Sequence, residues 1–156
     1  MLLRGFKTSE TEHLAEMMLA CRQEWGITGE LVSDMAERLL VPNKHTWVAM
    51  DNHEIVGLVS WQPELDSSSP SNQANQADAH LNVLYVIETH RGAGLAELLH
   101  NKALTLASIQ GYQRIRLWRP EAALAAQKFY LRNGYHETGV TKTFSGMKMF
   151  ELRRTI

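Results

Sequence analysis

From Tyr85 to Ala96 the chain reads Tyr-Val-Ile-Glu-Thr-His-Arg-Gly-Ala-Gly-Leu-Ala. An apolar strand runs into a cationic, glycine-spaced turn, and that turn opens a long amphipathic helix. The turn formed by Arg91, Gly92, Ala93, Gly94, Leu95 and Ala96 aims several backbone N–H groups at one point before a helix N-terminus, where the macrodipole favours negative charge. Gly92 and Gly94 have no Cβ, so a large anion can reach the backbone. Arg91 adds a forked cationic donor matched to phosphate oxygens. These residue types predict a pyrophosphate cradle, although the same glycines also suit an ordinary helix entry. The Lys-Ser/Thr of a P-loop is missing, which argues against metal-assisted nucleotide hydrolysis. The spacing also departs from the Gly-x-Gly-x-x-Gly of dinucleotide folds.

Arg91-x-x-Gly94-x-Ala96 resembles the Arg/Gln-x-x-Gly-x-Gly/Ala signature of the GNAT superfamily of acyl-CoA-dependent N-acyltransferases. Downstream, Ala125-Ala126-Gln127-Lys128-Phe129-Tyr130-Leu131-Arg132-Asn133-Gly134-Tyr135 resembles the segment that closes that family's cofactor site. The resemblance covers about residues 80 to 140. It implies acetyl-CoA, or another short acyl-CoA, as co-substrate, with no metal. Its pyrophosphate would lie on Arg91 to Ala96. Its pantetheine arm would pair with free backbone groups of Leu84, Tyr85 and Val86, where the family's fourth strand splays from the fifth. A backbone N–H there would also steady the oxyanion. Tyr130 matches the family's general acid, which protonates the departing thiolate, while its residue type also fits an amphipathic core position. Many members carry an Asn seven residues before this Tyr, and here that position is Ala123.

The resemblance leaves the base open. Some members carry a Glu six residues before the pantetheine-pairing Val, and this chain has His80 there. The ordinary histidine pKa of about 6.5 suits a proton acceptor near neutrality, and a surface histidine fits equally. Glu121 and water are the alternatives. Strict strand alternation places His80, Asn82, Leu84 and Val86 on one face, and Leu81, Val83, Tyr85 and Ile87 on the other. On that reading His80 looks along the reaction groove, Asn82 is placed to orient the amine or a water, and Tyr85 packs into the core. Trp25, Trp61 and Trp118 are candidate walls of an acceptor pocket.

The elements that must position these residues follow from periodicity. Leu2 to Lys7 reads as a strand. Ser9-x-x-Glu12 reads as a capping box for a helix with Leu14, Met17, Met18, Cys21 and Trp25 on its apolar stripe. A second helix carries Leu31, Met35 and Leu39 and ends before Pro42. Thr46 to Met50 and Ile55 to Trp61 flank the turn Asp51-Asn52-His53-Glu54. Residues 62–78, rich in Ser, Asn, Gln and Pro, read as a mobile polar loop. His80 to Ile87 is the next strand. The helix after the glycine turn buries Leu95, Leu98, Leu99, Leu106 and Ile109 and ends near Gly111. Arg114 to Trp118 is a strand, Glu121 to Asn133 a helix stopped by Gly134 in the left-handed region, and Tyr135 to Val140 and Phe144 to Leu152 form a closing antiparallel pair. The order is βααββ, loop, βαβαββ. It implies a single α/β (α+β) domain over residues 1–156, with a mixed, mostly antiparallel sheet and helices on both faces.

Composition narrows the setting. The chain has 156 residues, is 44% hydrophobic and 21% charged, and has a net charge of −1. That balance predicts no general attraction to nucleic acid or to a membrane. One cysteine excludes an internal disulfide and suits a reducing compartment, so a cytoplasmic protein is expected. The expected activity is transfer of an acetyl group from acetyl-CoA to a small-molecule or protein amine within a ternary complex. An acyl-CoA-binding sensor or structural module of the same fold is the alternative, and a homodimer is compatible with either.

Overall fold

In a computed structural model, residues 1–64 and 78–156 are described. The strands are β1 (Leu2–Gly5), β2 (His45–Asp51), β3 (Glu54–Pro63), β4 (Asp78–Val86), β5 (Arg114–Pro120), β6 (His136–Phe144) and β7 (Met147–Thr155). The helices are α1 (Thr11–Glu24), α2 (Val32–Leu39), α3 (Leu95–Ile109) and α4 (Leu124–Arg132). One sheet has the order β1-β2-β3-β4-β5-β7-β6. Among the described strands only β4 and β5 pair in parallel. The mixed, mostly antiparallel sheet expected from the sequence is therefore present.

Each sheet face has its own core. Leu14, Met18, Cys21 and Met35 of α1 and α2 pack on Val48, Leu58 and Val83. On the other face Leu95, Leu99, Ala103 and Ala107 of α3 pack on Val56, Trp61, Leu81 and Val86. The α3 stripe thus recurs every four residues through two alanines, which lets the helix lie close to the sheet. Leu98 and Ile109, expected on this stripe, are 51% and 77% exposed. Those two side chains fall beside the narrow line of contact.

Several local readings shift. Ser9 and Glu12 form no capping box. A 3-10 turn at Thr8–Glu10 precedes α1, and Glu10 instead accepts the Lys7 N–H at 2.9 Å and pairs with Arg4. The helix expected from Glu121 starts at Leu124, because β5 extends to Pro120. Gly134 does take a left-handed φ of 90°. Of the loop expected over residues 62–78, residues 65–77 lie outside the described residues. Its ends belong to the sheet: Gln62 and Pro63 finish β3, Glu64 is buried, and Asp78 opens β4.

Strand β4 does not alternate strictly. Ser60 pairs with Val83 and Trp61 with Leu81, so Asn82 is an extra residue, a β-bulge. The bulge moves every side chain before it to the opposite face. Ala79 and Leu81 join Leu84 and Val86 against α3, while His80 shares the α1–α2 face with Val83 and Tyr85. The expectation that His80 shares a face with Leu84 and Val86 is overturned by this one inserted residue.

Candidate active site

β4 and β5 pair at only three positions, Asp78 with Arg114, Ala79 with Ile115 and His80 with Arg116. Both strands continue past them without pairing, and the gap between them is a groove. It comprises a cradle-side cleft of about 280 Å³ and an opposite cleft of about 360 Å³. The clefts meet at Cys21, Trp25, Leu81, Asn82, Val83 and Trp118. At the closed end of the gap, ion pairs tie β3, β4, β5 and β7 together. Arg116 bonds Glu64 at 2.8 Å, and Arg153 reaches Glu64 at 2.9 Å, Asp78 at 3.2 Å and Glu151 at 3.2 Å. Glu64, Asp78, Arg116 and Glu151 are all buried.

The cradle side is made of backbone. Gly92 and Gly94 hold φ values of 82° and 83°, in the left-handed region that favours glycine. A Cβ at either would meet nothing within 4 Å, so the space before α3 is open. The first helical bond of α3 runs from Leu98 to the Gly94 carbonyl, and the N–H groups from Gly92 to Ala96 have no partner among the described residues. These unpaired donors at a helix N-terminus fit a pyrophosphate. Along β4, Ile87 donates to Val56 of β3, so the backbone groups of Tyr85 also face β3, whereas those of Leu84 and Val86 face the gap. Of the three residues expected to offer backbone to pantetheine, two are turned toward the groove.

The Arg91 side chain takes a different position from the expected phosphate donor. Its Nε donates to the Val86 carbonyl at 2.8 Å, and its Nη2 donates to both Glu24 oxygens at 2.9 and 3.0 Å. Its guanidinium lies 5.3 Å from the Tyr85 ring centroid. Tyr85 is half-buried in consequence, its hydroxyl donating to Glu24 at 3.4 Å. Arg91 thus binds the end of α1 to the turn, with its charge paired to Glu24.

Tyr130 lines the cradle-side cleft together with Asn82, Leu84 and Val86. Its ring is fixed edge-on by Phe129 and Tyr135, each 5.2 Å away, with buried His100 at 6.3 Å. His100 is hydrogen-bonded to the Tyr135 hydroxyl at 2.8 Å, and burial, with Arg154 adding, pulls its pKa down to about 4. Burial, with a smaller effect of Cys21, raises the pKa of the Tyr130 phenol. The hydroxyl therefore stays protonated, the form a proton donor requires. Cys21, at the junction, is held as an inert thiol: burial pushes its pKa up to about 12.

His80 lies in the opposite cleft. Its Nδ1 accepts the Arg116 Nε–H at 3.4 Å, which leaves the ring proton on Nε2. Burial first, then Arg116, Lys142, Lys44 and Arg153, pull its pKa down to about 3. A proton acceptor near neutrality, the expected role, is poorly served by four neighbouring cations. Asn82, on the bulge, carries a buried Oδ1 without a hydrogen-bond partner among the described residues. Glu121 is exposed on the turn after β5 and lines neither cleft. Trp25 and Trp118 wall the junction, whereas Trp61 is a core residue, its Nε1 donating to Gln110 at 2.9 Å. Sequence reasoning missed Arg22, Arg38, Lys44 and Lys142 in the opposite cleft, since they come from separate segments with no shared spacing.

The short β4–β5 pairing, with open space and unpaired backbone N–H groups at the head of α3, is the arrangement expected of an acyl-CoA-dependent transferase. Residues 11–135 match the Acetyltransferase (GNAT) family, and the chain belongs to that family. It is 27% identical over 110 residues to N-acetylaspartate synthetase of Danio rerio, a match that covers 69% of this chain and 36% of that protein. The chain thus spans about a third of this curated relative. Among solved structures it is similar to a ribosomal-protein-alanine N-acetyltransferase from Brucella melitensis, with a TM-score of 0.79, 15% identity and 100% of both chains covered. It is also similar to an aminoglycoside 6'-N-acetyltransferase crystallised with coenzyme A, with a TM-score of 0.78, 17% identity and coverage of 99% and 97%.

Proposed function

We propose that this protein is a cytoplasmic N-acetyltransferase that transfers the acetyl group of acetyl-CoA, or another short acyl-CoA, to an amine by direct attack within a ternary complex. The observation that carries this reading is the continuity of the groove. Unpaired backbone donors stand at one end, Tyr130 faces the middle, and a second cleft opens past Asn82 on the far side. Bound acetyl-CoA supplies the thioester carbonyl and the thiolate leaving group. The N–H groups of Gly92 to Ala96 would hold its phosphates, and the gap-facing backbone of Leu84 and Val86 its pantetheine. Holding two reactants in line contributes on the order of 7–11 kcal/mol to such a reaction.

The chain's own groups then divide the work. A gap-facing β4 N–H donates toward the carbonyl oxygen as negative charge develops there. Tyr130 gives its phenolic proton to the leaving sulfur, and the proton shed by the nitrogen as the amide forms returns through water to the phenolate. The amide Oδ1 of Asn82 accepts an N–H of the incoming amine and orients its lone pair. We read His80 as a neutral Nε2–H donor. The positive field around it also favours the uncharged form of the amine, and that amine's excess proton leaves through water. The named acceptors of the relatives differ, from aspartate to a ribosomal protein and an aminoglycoside. Kinship alone therefore does not select one here.

Tyr130→Phe tests the reading. Loss of the hydroxyl should lower kcat by about 10²–10⁴-fold, with CoA affinity and Tm unchanged. An unchanged kcat under conditions where chemistry limits turnover removes Tyr130 from the mechanism. A wild-type protein that binds CoA but releases none from acetyl-CoA with any amine is an acyl-CoA-binding module.

A further inference from the structure

The cleft beyond Asn82 has a charge pattern that amine acylation alone does not require. Among the described residues its lining includes four cations, Arg22, Arg38, Lys44 and Lys142, and no Asp or Glu. They converge from α1, α2, the turn before β2, and β6. The whole chain has a net charge of −1, so this concentration is local. Glu30 bonds both Arg22 and Arg38, and one carboxylate between two guanidinium groups leaves one positive charge uncompensated. Lys44 is half-buried and forms no ion pair with any described residue. Burial first, then Arg38, pull its pKa down to about 8, the response of an ammonium lacking an anion. Lys142 lies 4.4 Å from the Trp118 ring centroid, beside the junction of the two clefts.

At the inner end the polarity reverses. Asn82, which lines both clefts at their junction, carries a buried acceptor, Oδ1, without a partner among the described residues. A ligand complementary to this cleft carries an N–H donor at one end and an anionic oxygen group at the other. The volume of about 360 Å³ lies in the small-molecule range. Met18, Val41 and Phe144 close its sides. A polycation would meet the unpaired ammonium of Lys44 and the surplus charge of the Arg22–Glu30–Arg38 group.

Resting on the acetyltransferase reading above, we propose that the acceptor is a small anionic amine, its amine on Asn82 and its carboxylate or phosphate on Lys44, with Arg38 and Lys142 beside it. A free amino acid and an aminoalkyl phosphate share this chemistry.

Acetyl-CoA turnover with matched amines tests it. Glycine is compared with glycinamide, glutamate with its diamide, phosphoethanolamine with ethanolamine, and spermidine serves as the polycation. The anionic member of a pair should show a kcat/KM at least about tenfold higher than its uncharged counterpart, one ion pair's worth of discrimination. Whether the amino-acid or the phosphoethanolamine pair shows the larger ratio identifies the anion. Lys44→Met should remove most of that ratio, while Lys44→Arg, which keeps the charge, should retain it. CoA affinity by calorimetry and Tm monitor folding in each variant. Uncharged amines or spermidine turned over as well as the anionic ones would overturn the proposal and leave the acetyltransferase reading standing. A preference that survives both Lys44→Met and Lys142→Met would overturn the assignment of residues. CoA binding without turnover of any amine would instead overturn the acetyltransferase reading, and this proposal with it.

Discussion

On the proposed cradle side of the groove, the groups offered to a ligand are backbone: unpaired N–H groups from Gly92 to Ala96 and the gap-facing edge of Leu84 and Val86. On the proposed acceptor side they are side chains that α1, α2, β4 and β6 bring to one cleft. A backbone site needs particular φ values and a missing Cβ, and these appear in a short contiguous stretch of sequence. A side-chain site needs only convergence in space. The first kind suits a co-substrate common to a family, while the second can change its ligand by single substitutions without disturbing the sheet. The two halves should therefore fail differently.

The largest effect is expected in the cradle. Gly94→Glu places a carboxylate where phosphate would sit, and calorimetry should detect no CoA binding while the fold survives. Gly94→Ala isolates the backbone cost of a side chain at φ 83°, about 1–2 kcal/mol, and should weaken CoA binding only modestly. Wild-type CoA affinity in the glutamate variant would end the cradle assignment. Next in size is a change beneath both halves. Glu64→Gln leaves Arg116 and Arg153 without their shared carboxylate, and breaking a buried network of this kind costs about 3–5 kcal/mol. Denaturant melts should show the loss. A shift within about 0.5 kcal/mol would mean that Asp78 and Glu151 suffice to hold the gap's closed end.

The acceptor half should show smaller, pH-dependent effects. Lys44 titrates near 8, below its usual value of 10.5, with Arg38, His80, Lys142 and Arg22 lining the same cleft. A ligand such as N-acetylglycine has no amine to titrate, so its affinity should be level below pH 8 and fall as Lys44 loses its proton, by at most about tenfold per pH unit. In Lys44→Met the profile should be flat and the binding weaker. For stability the sign is opposite: the folded protein disfavours the Lys44 charge, so this group's contribution rises as pH climbs from about 8 towards 10.5. The smallest effect is expected from His80→Gln. With an imidazole pKa near 3, the rising limb of kcat/KM should follow the pKa of the amine supplied and survive the substitution, with a rate loss under about tenfold. A limb fixed near pH 6 in the wild type and lost in His80→Gln would restore His80 as the base.

This contrast also explains what the sequence disclosed. The strand, glycine-turn and helix unit around Arg91 and the helix carrying Tyr130 were legible because local periodicity and turn chemistry determine them. The order of elements and the sheet followed from the same signals. Arg91's engagement with Glu24 was not legible, since the two meet only through the docking of α1 against β4. The ion cluster at the closed end was hidden because Glu64 and Asp78 sit at the ends of a polar stretch that reads as solvent-exposed. The charge of the acceptor cleft was hidden for the same reason as its residues: no spacing links Lys44 to Lys142.

Asn82 carries a consequence for tracing ancestry through this family. Because the bulge adds one residue between the glycine turn and His80, counting backwards from Arg91 assigns a side-chain orientation correctly only as far as Val83. A relative without the extra residue would keep the counterparts of Leu81 and Ala79 beneath α3 and that of His80 on the α1–α2 face, each one position nearer the glycine turn. Gain or loss of one amino acid at this point thus changes the spacing to the glycine turn without exchanging the pocket side of β4 for its core side. An ungapped count would pair His80 with a core position of such a relative, so residue-by-residue comparison of β4 is meaningful only after its bulges are aligned.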